Sequence, residues 1–167
     1  MGLLPVPAGA KPWSANTNAL MSRVSFVKSF YDKSDWTMEE ALLARRGFVA
    51  AVWEGWNNAD GSHQSIMLVR FATPAGATSD FDAERSYYDL VLGKQEPKPV
   101  TLLADSAIRA VGWSSPTLDS VGNAKVEFAV VIGDTEIVVD EWTAATPDPA
   151  AAKVLLQRQY DSLKNGS

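Results

Sequence analysis

His63 is the one histidine of the chain, and it follows Asp60, Gly61 and Ser62. An imidazole beside a hydroxyl and a carboxylate could do nucleophilic or general-base chemistry. A triad, however, needs an activated serine and an orienting acid held around the ring. No Gly-x-Ser-x-Gly elbow accompanies it, and Asp60-Gly61-Ser62-His63 has the composition of a solvated hairpin turn. A metal site could use the one histidine with several carboxylates, but no helical His-x-x-x-His or His-Glu spacing supports one. No catalytic residue, metal or cofactor is expected.

The acidic pairs are the next candidates: Glu39-Glu40, Asp80 with Asp82 and Glu84, and Asp140-Glu141. Two carboxyls opposed across a cleft could cleave a glycoside, but spacing along the chain does not oppose any two of these. Glu39-Glu40 and the Asp80 group fall at expected helix starts, where carboxylates favour the helix dipole. Asp140-Glu141 ends an expected strand, with one member facing outward and the other free to meet an arginine. Asp-x-Asp at 80–82 lacks the rest of a calcium loop, and there is no glycine-rich phosphate loop.

The six tryptophans offer a different chemistry. Indoles fill seams between sheets and helices, or line grooves that take flat apolar ligands. Trp56 and Trp113 each follow a glycine and occupy matching places in two similar stretches, so they are the candidates for one shared groove binding a sugar, peptide or lipid. His63 and Asp60 are expected beside that groove as its polar contacts.

The stretches that would position these residues run from 47 to 92 and from 112 to 163. Each has Gly-Trp, a turn, an apolar strand reaching an aromatic (Phe71, Trp142), a Thr-Pro, and a helix carrying Tyr-Asp. This internal repeat suggests pseudo-twofold symmetry. Residues 1–19 form a Pro- and Gly-rich leading segment, expected to lie extended across the domain and be pinned by Leu3, Leu4 and Trp13. Val24, Val27 and Tyr31 share a helical face. Thr37-Met38-Glu39-Glu40 reads as a capping box opening a second helix that Gly47 ends. Residues 48–56 and 65–72 form a hairpin, followed by a helix over 79–92 and a Pro-rich linker over 94–99.

In the second half, 100–103 reads as a short strand or turn and 108–113 as a strand. Residues 126–132 and 136–142 form a hairpin around Gly133-Asp134. Asp148-Pro149 sets an N-cap and first helical position for a last helix, whose Leu155, Leu156 and Leu163 keep a 3.6-residue period. Together these predict a single α+β domain over 1–167, an antiparallel sheet with helices packed on it, built from two similar strand-rich units each ending in a helix.

Composition narrows the function classes. The chain has 167 residues, 46% hydrophobic and 21% charged, as ordinary globular domains do. A net charge of −5 excludes the basic field that nucleic-acid binding uses. With no cysteines there are no disulfides, thiol nucleophiles or thiolate metal sites. No apolar run reaches the ~18–20 residues of a membrane span. The opening Met1-Gly2-Leu3-Leu4-Pro5-Val6-Pro7 reads as a start inside a longer natural chain, so a membrane would be met only through an anchor outside this sequence.

The alanine-rich acidic composition and the motifs Leu3-Leu4-Pro5-Val6-Pro7-Ala8-Gly9-Ala10, Arg46-Gly47-Phe48, Gly55-Trp56 and Asp60-Gly61 resemble those of actinobacterial cell-envelope proteins. Many of those are lipoproteins or membrane-anchored proteins with one folded domain outside the membrane. The repeated Trp, strand and Ala-rich helix plan is also loosely similar to the extracytoplasmic sensor domain of the kinase PknH, and to LpqN-type lipoproteins with a PsbP-like sheet. That sensor domain is braced by disulfides, which this chain cannot form, and no functional residue carries over. The resemblance implies a non-enzymatic, extracytoplasmic, sensor-like domain for a small ligand or protein partner. The alternatives are a small envelope hydrolase and a structural dimerisation domain.

Overall fold

The structure is a computed structural model that describes residues 2–13, 19–91, 101–105, 108–115, 122–144, 146 and 148–166. It is α+β, with a seven-stranded antiparallel sheet and helices on both faces. The strands are β1 (Lys11–Pro12), β2 (Phe48–Asn57), β3 (His63–Phe71), β4 (Thr101–Asp105), β5 (Ala110–Ser115), β6 (Ala124–Ile132) and β7 (Thr135–Thr143). The helices are α1 (Arg23–Phe30), α2 (Trp36–Arg46), α3 (Pro74–Val91) and α4 (Pro149–Asn165). Strand order is β1-β2-β3-β7-β6-β5-β4, so the two expected hairpins meet side by side through β3 and β7.

Alternation along the strands builds two different layers. Val52, Trp56, Ile66, Leu68, Val126, Phe128, Val130, Ile137 and Val139 point to one face, where Ala152, Leu155 and Leu156 of α4 cover them. Leu3, Leu4 and Val6 of the leading segment complete that layer. The buried Gln159 ties them down: its amide nitrogen donates to the Gly2 carbonyl at 3.1 Å, and its oxygen accepts from the Leu4 N–H at 2.9 Å. The other face carries Ala51, Val69 and Phe71 against Phe26 and Val27 of α1, Leu43 of α2 and Ala77 of α3.

The helices following the two hairpins therefore lie on opposite faces. A twofold axis normal to the sheet between β3 and β7 would put both on one face, so the similarity of plan between 47–92 and 112–163 does not become two equivalent units. Thr101 to Asp105 pairs with β5 as a full edge strand. The expected linker over 94–99 lies outside the described residues.

Two helix starts differ from expectation. Helix α2 begins at Trp36 with Asp35 at its N-cap and no side-chain cap, so Thr37 is already inside the helix and forms no capping box. Gly47 does end it, at φ 79° in the left-handed region that glycine tolerates. Helix α3 begins at Pro74, because the Thr73 hydroxyl accepts from the Gly76 N–H at 3.2 Å. A side chain at position 76 would place its Cβ 2.1 Å from the Arg46 carbonyl, and glycine there lets α3 cross the end of α2 closely.

Candidate functional site

The face beneath α1, α2 and α3 carries the unusual chemistry. Register places Asn57, His63, Trp142 and Lys125 in one row across β2, β3, β7 and β6. The next row is Gly55, Ser65, Asp140, Glu127 and, on β5, Trp113. Trp13 joins its end, its backbone N–H donating to the Gly55 carbonyl at 2.7 Å.

At this end the rings collect. Trp13 stacks on His63 with centroids 5.3 Å apart and planes 12° from parallel. It also meets Trp53 at 5.9 Å and the edge of Trp142 at 5.4 Å. Phe30 of α1 approaches Trp53 at 6.5 Å. Gly55 makes this assembly fit: a Cβ there would lie 2.6 Å from Trp53 Cζ2 and 2.8 Å from Trp13 Cε3. Trp13 keeps 43% of its surface exposed and Phe30 42%, so the cluster presents an aromatic platform to solvent.

Lys125 joins the platform to a buried set of acids. Its ammonium lies 5.2 Å over the Trp142 ring, 2.6 Å from Glu127 and 2.9 Å from Asp140. Asp140 also accepts from the Ser65 hydroxyl at 3.2 Å. From α3, one turn apart, come Asp80 and Glu84; Asp80 pairs with Arg46 at 2.6 Å. Glu136 on β7 is fully buried, and no N–H or O–H donor among the described residues reaches either of its oxygens. Its neighbour is the Asp80 carboxyl.

Burial dominates the protonation of these groups. It raises Asp140 to about 7, partly offset by Lys125 and reinforced by Glu127. Burial, then repulsion from Glu127 and Asp80, pushes Glu84 well above the usual carboxylate range. Burial and the nearby Glu84 and Asp80 do the same to Glu136. Asp80 is raised by burial and pulled back by Arg46. Among the described residues, no group of three or more acids or histidines is arranged to hold a metal ion.

The residues singled out from sequence separate. Trp56 is fully buried on the α4 face, and its indole N–H meets no acceptor among the described residues. Trp113 is buried on the opposite face, beside Glu127. Matching sequence positions put them on opposite sides of the sheet, so they cannot line one groove. Asp60 stays in the exposed turn, accepting from the Ser62 N–H at 2.9 Å and hydroxyl at 2.7 Å, bonds that lower its pKa. His63 opens β3 and is the one of the four on the platform; its Nδ1 contacts the Asn57 amide oxygen.

Two acidic readings also change. Asp80 and Glu84 lie well inside α3 and face the sheet, since the helix starts before them. Asp140 and Glu141 are both covered, because the sheet has helices on both sides; Asp140 meets a lysine rather than an arginine, and Glu141 accepts from Gln64 and the Asp148 N–H. Glu127 and Glu136 were missed. Their signal was carboxylates set on a face whose strand neighbours Ala129, Val131 and Val138 are apolar.

By sequence, no family model and no curated protein matches the chain. By structure it is similar to the extracellular domain of PknH from Mycobacterium tuberculosis, with a TM-score of 0.62 and 11% identity over 95% of this chain and 86% of that one. At that identity the likeness is one of fold. No helix among the described residues is long and apolar enough to cross a membrane.

Proposed function

We propose that this chain is a non-enzymatic, extracytoplasmic, sensor-like domain that takes its ligand on the platform of Trp13, His63, Trp53 and Trp142. The observation that carries the reading is the exposure of Trp13 and Phe30 around a ring cluster that a glycine makes room for. Apolar rings left in water beside charged groups suit a ligand with one flat apolar face and polar edges, such as a sugar ring. Lys125 supplies the polar contact nearest the rings. The fold shared with the extracellular domain of PknH supports a sensor role and a place outside the cytoplasm. The hydrolase alternative gains less support, since His63 bonds an amide oxygen rather than a carboxylate.

The test is tryptophan fluorescence during titration with soluble oligosaccharide fragments of bacterial envelope glycans, with phospholipid vesicles in parallel. A saturable change on glycan that Trp13→Ala abolishes, in a variant with native circular dichroism, supports the platform. A response to vesicles alone moves the reading to lipid. No response to either rejects the platform as a site for these ligands.

A further inference from the structure

The acids beneath α3 carry a consequence that goes beyond ligand binding and does not depend on it. Asp80 and Glu84 descend from α3, while Glu127 rises from β6 and Glu136 and Asp140 from β7. The cations placed among them are Arg46 of α2, held by Asp80, and Lys125 of β6, shared by Glu127 and Asp140. Tyr31, which caps the end of α1, and Glu39 of α2 border the set, both pushed up chiefly by burial. Strand β3 contributes the neutral Ser65 there, and Asp82 and Arg85 of α3 are exposed.

An isolated buried carboxylate is too costly to keep ionised. Glu136 is 0% exposed, no donor among the described residues reaches either of its oxygens, and the group it touches is another carboxyl. That contact is favourable only when one of the two holds a proton. Asp80 is paired with a guanidinium, so the proton belongs to Glu136, which donates it to Asp80. Fully ionised, the five acids would carry more charge than Arg46 and Lys125, the cations bonded to them, offset, and the surplus would repel helix from strands.

We propose that α3 is a proton-held cover: shared protons between its carboxyls and those of β6 and β7 seat it on the sheet in acid, and their loss as the pH rises loosens it while α4 stays in place. The selectivity follows from the two faces. Helix α4 rests on an apolar layer of Phe128, Val130, Ile137 and Val139, and of the acids on that face, Glu54 and Glu141, Glu141 is bonded to the Gln64 amide and the Asp148 N–H.

Amide hydrogen exchange of the wild-type chain at pH 5 and pH 8, corrected for the intrinsic pH dependence of exchange, tests this. Protection of peptides from 74–91 should fall roughly tenfold or more, as one unit of shared titration would give, while peptides from 149–165 hold theirs. Glu136→Gln should flatten the dependence, and Asp140→Asn provides the same readout should the first variant fold poorly. Equal protection of α3 at both pH values overturns the proposal. An equal loss in α3 and α4 also overturns it, since the effect would then be global.

Discussion

Glu136 and Glu141 lie on the same strand and are both buried, yet their surroundings are opposite. Glu141 points toward α4, where the Gln64 amide and the Asp148 N–H donate to its two oxygens at 3.0 and 3.4 Å. Glu136 points toward α3, where it meets another carboxyl and no donor among the described residues. The comparison extends to the whole faces. The α4 face is an apolar core in which Glu141 and Gln159 are hydrogen-bonded, while Glu54 Oε2 and the Trp56 indole meet no partner among the described residues. The α3 face instead gathers five carboxyls around Arg46 and Lys125 beside exposed rings. Carboxyls buried against one another are costly when ionised, so the face that gathers five of them is the one whose packing depends on protonation.

The largest effect that would sharpen this contrast is pH. Carboxyls whose pKa folding raises bind protons in the native state that the unfolded chain has released. Their contribution is fully present below the ordinary carboxylate range near pH 4 and is lost as the pH climbs through the folded values, about 7 for Asp140. Each raised unit is worth ~1.4 kcal/mol. Urea denaturation of the wild type should therefore give greater stability at pH 5 than at pH 8, the reverse of ordinary acid denaturation. A higher stability at pH 8 would break the contrast between the faces.

Leu156→Ala, on the α4 face, should cost about 3 kcal/mol, equally at both pH values, because it leaves a cavity among buried apolar side chains. Chemical denaturation at both values checks this, and a strongly pH-dependent loss would show the layers to be coupled. The pair Glu136→Gln and Glu141→Gln should act with opposite signs at pH 8. The first removes an unpaired ionisable group and stabilises by roughly 1 kcal/mol; the second sets an amide N–H₂ against a donor and destabilises by about as much. Melting temperatures moving in the same direction would contradict the reading of Glu136.

Gly55→Ala is the smallest change. Its Cβ collides with ring atoms of Trp13 and Trp53, so the variant should fold, lose about 1 kcal/mol, and expose Trp13 further. Acrylamide quenching reads the exposure; unchanged quenching would show that the rings do not depend on the glycine.

Much of the scaffold was legible in the chain. Alternation in 126–132, the Gly133-Asp134 turn and the Asp148-Pro149 start each rest on local backbone preferences, and β6, β7 and α4 follow them; Asp148 caps α4 by accepting from the Ala150 N–H at 2.9 Å. The candidate site was legible only in fragments. His63 was noticed as a lone imidazole, but its stacking partner Trp13 is far away in sequence and reaches it only because β1 adds to the edge of β2. Gly55 and Trp56 stood out as a pair, and alternation sent them to opposite faces, making the glycine rather than the tryptophan the member that shapes the platform.

The sequence by itself determined the class of fold, the strands and helices of the second hairpin unit, the stop at Gly47, and the absence of thiol chemistry. These follow from side-chain periodicity, special backbone angles and composition, all of which act over a few residues. The tertiary structure decided which side of the sheet each helix covers, and with that which acids are buried together. Asp80, Glu84, Glu127, Glu136 and Asp140 come from three elements, and their protonation depends on how those elements stack. Desolvation and charge repulsion act through space, so a chain read in order carries the carboxylates but not the field they share.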